Sequence, residues 1–244
     1  MDIESLRVDK DYLALNKPAG VLVHGIFDKH GAKHEEETLA DWAVNNYPEI
    51  KGVGEDENRP GIVHRLDRET SGVIIVVRNQ EAFKYFKSLF QNREIEKEYI
   101  ALVWGRMQEK NGIINKTISI RDGSVKRTVF KGKMPRAAIT EYAVEGVFKD
   151  VSGNEFSLLR AKPRTGRTHQ IRVHLSSLGH PVVGDKLYGK KNSPEGLQRH
   201  FLHAAVLRFK DLDGKEQKIE ASLPPELVVF LGSLKKEDSD QDSD

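Results

Sequence analysis

Residues Val73–Val77 (VIIVV) form an unbroken apolar run preceded by "GIVHRLDRETSG", which places His64, Arg65, Asp67, Arg68 and Glu69 directly against it. The run reads as a strand that will be buried. Such a strand ordinarily avoids charged neighbours, and a carboxylate beside one is tolerated only when something pairs with it or uses it. Asp67 therefore either caps a turn or belongs to a site. The Thr-Ser-Gly that follows can fix a loop through its hydroxyls and amides. Arg65, two residues upstream, emerges on the same face of an extended chain.

The 244 residues suffice for a full core, and 31% of them are charged, as in a soluble globular protein. No stretch approaches the ~20 apolar residues of a membrane span. The N-terminus is polar and acidic, unlike a signal or transit peptide. With no cysteine, disulfides, thiolate catalysis and cysteine metal sites are excluded. Cytoplasmic residence is the expectation. The net charge of +2 hides an asymmetry: "EDSDQDSD" from Glu237 holds five acids and no base. The segment from Arg160 to Lys191 holds eight Lys/Arg and the single acid Asp185. Clustering of this kind points to a polyanionic partner.

Along the chain, "YLALNKPAGVLVH" (12–24) reads as strand, Pro-Gly turn and second short strand. Residues 37–48 have helical spacing, 49–60 are a polar loop, and 72–78 are a strand. Helix 80–92 follows, capped by Asn79, with Phe83, Phe86, Leu89 and Phe90 on one face. Residues 96–105 are a strand, and 112–134 read as a hairpin with a basic turn. "AAITEYAVEGVF" and "EFSLLRAKP" pair across "KDVSGN". Residues 167–179 read as a helix ended by Gly179. A hairpin about Asp213-Gly214 and a helix from Pro224-Pro225 close the fold. The expectation is an α+β protein with a large, mixed but mainly antiparallel sheet flanked by helices. One domain spans 1–236, and 237–244 form an acidic, disordered tail.

Neither GxxxxGK[ST] nor GxGxxG occurs, so no nucleotide cofactor is expected. His30 and His34 are separated by Gly31, no HExxH exists, and no metal site is expected. A second constellation is "KPRTGRTHQIRVH", in which Arg164, Arg167 and Arg172 bracket a turn that enters a helix, a setting that favours anions. Arg172 lies inside the helix, and Asp67 is its candidate partner.

"HRLDRETSG" resembles the catalytic motif of the RluA family of RNA pseudouridine synthases. "NKPAGVLVH", "EKEYIALVWG", "GRTHQIRVHLSSLGHPVVGD", "LYG" and "LHA" are similar to further family segments, in family order, from Tyr12 to about Leu223. The resemblance implies the pseudouridine synthase catalytic fold with a central RNA-binding cleft. Many relatives carry a small RNA-binding domain ahead of the core. Here the motif begins at Asn16, so a member without that domain is expected.

The resemblance also implies roles. Asp67 falls on the catalytic aspartate, which acts as nucleophile or assists a glycal intermediate. Arg172 falls on the active-site arginine, whose fork can hold that carboxylate charged. Tyr99 falls on a tyrosine near the target base, though its strand position alone suggests a core aromatic. Arg65 falls on a position that fills the gap left when the base is extruded. His64, Lys17, Lys162, Arg164, Arg167 and His169 are the remaining expected RNA contacts or site-shaping residues. By residue type alone, a solvated cation is the simpler reading of Lys17, Lys162, Arg164 and Arg167. The implied partner is structured ribosomal or transfer RNA, with no metal, cofactor or membrane, acted on by a monomer. The alternative is an inactive RNA-binding or chaperone relative of the same fold; it would dispense with Asp67, Tyr99 or Arg172, and all are present. A hydrolase releasing uracil would need a second carboxylate.

Overall fold

The computed structural model describes residues 1–25, 36–122, 126–189 and 194–237. The acidic tail beyond Glu237, His30, His34, Lys190 and Lys191 lie outside them. In chain order the elements begin with β1 (Glu4–Val8), β2 (Tyr12–Lys17), α1 (Leu39–Asn46), β3 (Ser71–Val77), α2 (Gln80–Asn92) and β4 (Glu96–Trp104). Then come β5 (Asn111–Asn115), β6 (Ile118–Ile120), β7 (Arg127–Thr128), β8 (Lys133–Arg136), β9 (Ile139–Lys149) and β10 (Glu155–Pro163). The last are α3 (Gln170–Ser176), β11 (Leu202–Lys210), β12 (Glu216–Glu220), α4 (Pro225–Gly232) and β13 (Lys235–Lys236). This is an α+β chain, and every strand pairing described below is antiparallel. No helix among the described residues is long and apolar enough to cross a membrane. Two compact units divide it: Met1–Lys97 with Ala204–Ser222, and Glu98–His203 with Leu223–Asp244.

In the first unit β3 is buried at all seven positions, as its apolar sequence requires. β2 pairs with it from Tyr12↔Val77 to Lys17↔Gly72, and β1 pairs with the outer edge of β2. α2 covers this layer. Its cap is the predicted one, Asn79 accepting from the Ala82 amide at 2.8 Å. Phe83, Phe86 and Leu89 turn inward to meet Tyr12, Val73, Ile75, Val77, Leu207 and Phe209. Phe86 packs edge-on against Phe209 at 5.2 Å; burying one such ring contributes about 2–3 kcal/mol. β11 and β12 pair across the turn at Asp213-Gly214, which Asp211 braces by accepting from the Lys215 amide and Gln217 Nε2.

The second unit is built on β9 and β10, paired from Glu155↔Lys149 to Pro163↔Thr140, with β4 beyond β10 and β5 and β13 on β9. Side-chain alternation gives this layer two apolar faces. Ala101, Val103, Tyr142, Leu159 and Ala161 receive Ile171 and Leu175 of α3. On the other face Leu102, Trp104, Phe148 and Phe156 receive Leu227 and Phe230 of α4. β7, β6 and β8 form a separate three-stranded sheet, seated through Ile118 on Ala138 and Val173.

Three expectations change. Residues 18–24 contain turns and bends but no strand, because Pro18-Ala19-Gly20 leaves β2 at once. The expected hairpin over 112–134 is divided: β5 pairs with β9 and buries Ile114 in the α3-side core, while β6 buries Ile118 elsewhere. The α3 helix is shorter than 167–179, because His169 takes a left-handed conformation (φ 57°) just before it.

Gly72 has φ 116°, and a Cβ there would stand 2.1 Å from the Ala204 carbonyl oxygen, so neither backbone nor space admits a side chain. Gly72→Ala should lower unfolding stability by about 3 kcal/mol or more, read as a shift in urea midpoint; an unchanged midpoint would refute this packing.

Candidate functional site

The segment before β3 runs back along it. The Val77 amide donates to the Gly61 carbonyl at 2.9 Å, and Ile62 bridges to Val76. Beyond these, His64 Nε2 accepts from the Ile75 amide at 2.9 Å. The His64 ring also stacks on Phe90, centroids 4.3 Å apart. Desolvation, with a smaller contribution from the Lys97 cation, pushes the imidazole down to about 3, so it stays neutral and accepting. His64, expected as an RNA contact, is thereby committed to the strand, because a buried amide without a ladder partner needs an acceptor.

Leu66 is buried, Asp67 is half-buried, and the Thr70 amide closes the loop on the Asp67 carbonyl at 3.1 Å. Lys17 corrects a second expectation. It is fully buried rather than presented to a phosphate. Its ammonium donates to the carbonyls of Pro18, Val21 and Arg68, at 2.8, 2.9 and 3.0 Å. The Gly20 amide also donates to the Arg68 carbonyl. The end of β2 thus latches the loop next to Asp67, with carbonyl dipoles offsetting part of the cost of burying a cation. Arg65 remains exposed, its Nη1 3.5 Å from His24 Nε2.

The second unit holds Tyr99 and Arg172. The turn before α3 is fastened by Gln170. Its carboxamide oxygen accepts from Thr165 Oγ1 (2.7 Å) and the Arg167 amide (3.0 Å), and its nitrogen donates to the Ile139 carbonyl and Thr140 Oγ1. His174 is buried between Thr140 Oγ1 and the Lys116 carbonyl, and burial lowers its pKa. The carbonyl contact requires Nε2–H, so Nδ1 accepts from the threonine hydroxyl. Helix, turn and β9 form one rigid piece.

Within it Arg172 is buried and forks onto Asp185, Nε to Oδ2 at 2.7 Å and Nη2 to Oδ1 at 2.9 Å. Its guanidinium also lies over the Tyr188 ring at 5.3 Å. Asp185 further accepts from the Leu187 and Tyr188 amides, at 2.8 and 3.0 Å. Burial pulls its pKa upward, but the Arg172 fork and the two amides outweigh burial and hold the carboxyl below its ordinary range. Asp185 is a partner of Arg172 that the sequence reading did not name. As the lone acid in a basic stretch, it carried the signal. His169 Nδ1 lies 2.9 Å from the Tyr188 hydroxyl.

Strand register separates the remaining candidates. Tyr99 opposes Ala161 and packs on the α3 side. Lys162, the next residue along, therefore projects from the opposite face. There it pairs with buried Glu98 at 3.1 Å, as Arg160 does at 3.0 Å. Arg164 forks onto Glu141 at 2.8 and 2.9 Å. Arg167 donates to the Ala137 carbonyl at 3.2 Å. So the cations from Arg160 to Arg172 have partners within the molecule, Arg172 in the interior and Arg164 and Arg167 at the exposed surface. No group of three His, Asp or Glu among the described residues is placed to hold a metal ion.

Residues 11–177 match the family model described as RNA pseudouridylate synthase. The chain is 40% identical over 220 residues to an uncharacterized RNA pseudouridine synthase of Chloroflexus aurantiacus, covering 90% of this chain and 65% of that one. It is 32% identical to the ribosomal large subunit pseudouridine synthase D of Borreliella burgdorferi, covering 94% and 68%. It thus spans about two thirds of the length of these relatives. The structure of human RNA pseudouridylate synthase domain containing 1 superimposes with a TM-score of 0.74 at 27% identity, covering 97% of this chain and 89% of the human one.

The His64 ring makes stability depend on pH. An unfolded imidazole titrates near 6.5 and the folded one at about 3. The contribution is therefore complete above 6.5 and is lost as pH falls from there toward 3. Urea midpoints should fall more steeply from pH 7 to about pH 4 in the wild type than in His64→Gln, which cannot take up the proton; parallel slopes would refute the assignment.

Proposed function

Since the chain belongs to the RNA pseudouridylate synthase family, we propose that it isomerises uridine to pseudouridine in structured RNA, with ribosomal RNA favoured over transfer RNA by the names of its relatives. The carrying observation is the construction of the Asp67 loop. The backbone that carries this carboxylate to the edge of a fully buried strand is held by a buried lysine at Arg68 and by a closed turn from Asp67 to Thr70, an investment a solvent-facing turn would not require. Asp67 is the catalytic carboxylate. Ionised, it serves as nucleophile at the sugar or as the group assisting a glycal route, while the N1–C1′ bond breaks. The base then turns and bonds through C5 to C1′; the C5 proton leaves and N1 gains one, so mass is conserved.

Tyr99 stands near the target base and helps take up that proton. Arg172 is the active-site arginine, and Asp185 fixes its plane and charge. The target must leave its stack, at a cost of a few kcal/mol, and Arg65 is free to fill the gap from its exposed position. The reaction so written uses no metal or cofactor. A cytoplasmic monomer would suffice.

Large-subunit ribosomal RNA transcript incubated with the protein should gain pseudouridine, mapped by mass spectrometry of digests. Asp67→Asn should yield none while still binding the RNA. Turnover within about tenfold of wild type would overturn the role of Asp67. Arg172→Lys keeps charge but loses the fork onto Asp185, and should reduce turnover about a hundredfold. Release of free uracil would instead mark a hydrolase, and binding by the wild type without product an inactive relative.

A further inference from the structure

The cations that the Arg160–Arg172 run engages internally have a counterpart elsewhere. From Lys116 to Arg136 the chain carries seven Lys/Arg and one acid, Asp122, a denser positive run than the one singled out by sequence. Asp122 is paired with Lys133 at 3.0 Å. The structure folds this run into the small sheet of β6, β7 and β8, beside a concavity of about 510 Å³. Arg121, Lys126, Arg127 and Lys131 line it together with Phe130 and Tyr188. Phe130 is 78% exposed, its backbone held by a hydrogen bond from its amide to Thr128 Oγ1 at 3.1 Å. Tyr188 is anchored in place by the Arg127 amide, which donates to its hydroxyl at 2.7 Å. Ser176 and Ser177 close the far wall.

We propose that this concavity is an RNA-binding subsite that takes an unstacked nucleotide, its base on Phe130 and its flanking phosphates on the lysines and arginines. The proposal rests on the RNA reading above but concerns residues outside the catalytic set. A simple anion would have no use for a large aromatic held in water, since exposing the ring costs hydration free energy without gain. An apolar ligand would have no use for four cations. A nucleotide uses both, and the volume lies within the ~300–1,000 Å³ of small-ligand sites. The position fits the chemistry as well: Tyr188 meets this concavity on one side and Arg172 and His169 on the other. Strand occupancy here is thus linked through one ring to the arginine of the site.

The probe is a fluorescein-labelled oligouridine of roughly ten nucleotides, within the ~4–16 spanned by single-strand sites, titrated by anisotropy over a series of KCl concentrations. Phe130→Ala should weaken binding about tenfold without altering the salt dependence, and Phe130→Trp should restore it. Lys126→Ala and Lys131→Ala should each make the slope of log K against log salt shallower by about 0.7. Affinity of Phe130→Ala within about twofold of wild type, or unchanged slopes in both lysine variants, would overturn the subsite. So would equally tight, Phe130-dependent binding of oligoglutamate, which would mark a peptide site. Because the readout is binding, it is separable from catalysis. A wild type that makes no pseudouridine yet binds through Phe130 would refute the function and keep the subsite; the converse would keep the function and refute the subsite.

Discussion

A strand buried at every position has to find a partner for each backbone amide, and β3 finds two of its partners in the charged segment just before it. The Gly61 carbonyl takes the Val77 amide and the His64 ring takes that of Ile75. An unmatched buried amide costs on the order of 1–3 kcal/mol, comparable to a large share of total stability. The segment's path is therefore fixed before any chemistry is considered. Asp67 follows three residues after His64, so its position is a by-product of satisfying the strand. The crowding of charge against apolar residues has this origin.

Two buried cations are handled by opposite means. Lys17 is fully buried and donates to three carbonyls, whose dipoles offset part of the cost of burying its charge. Arg172 is matched by a full carboxylate, Asp185, which is itself tied to two amides. The first arrangement binds two chain segments, the turn after β2 and the loop at Arg68, through one flexible stem. The second fixes a plane, because a guanidinium fork admits one orientation. A loop that must only be held and a side chain that must be aimed call for these different solutions.

Local signals were readable from sequence: the Asn79 cap, the apolar face of α2, the β9–β10 hairpin and the Asp213-Gly214 turn. Each depends on residues within a few positions of one another. The misread features are those set at a distance. The direction of Lys162 follows from a register with β4 sixty residues away, which brings it to Glu98. His64 was read as a charged-segment histidine, although its ring is claimed by a strand amide eleven positions later. Glu98, Glu141 and Asp185 pair with cations of the basic run, and composition cannot report pairing.

The first unit is discontinuous in the chain: ninety-seven residues at its start are completed by Ala204–Ser222. Leu207, Phe209 and Ile219 belong to the same core as Tyr12 and Phe86. During synthesis, the apolar side of β3 and α2 therefore waits for more than a hundred further residues before its last partners emerge. At ~5–20 residues per second that interval is several seconds to tens of seconds, far longer than the ~microseconds a helix needs to form. The β9–β10 hairpin of the second unit, which closes over a few residues, can form in the meantime, but that unit is itself completed only by Leu223–Asp244, whose Leu227 and Phe230 cover one of its faces. Both units therefore wait for the chain after His203 before they can close, and the apolar faces of Met1–Lys97 wait longest.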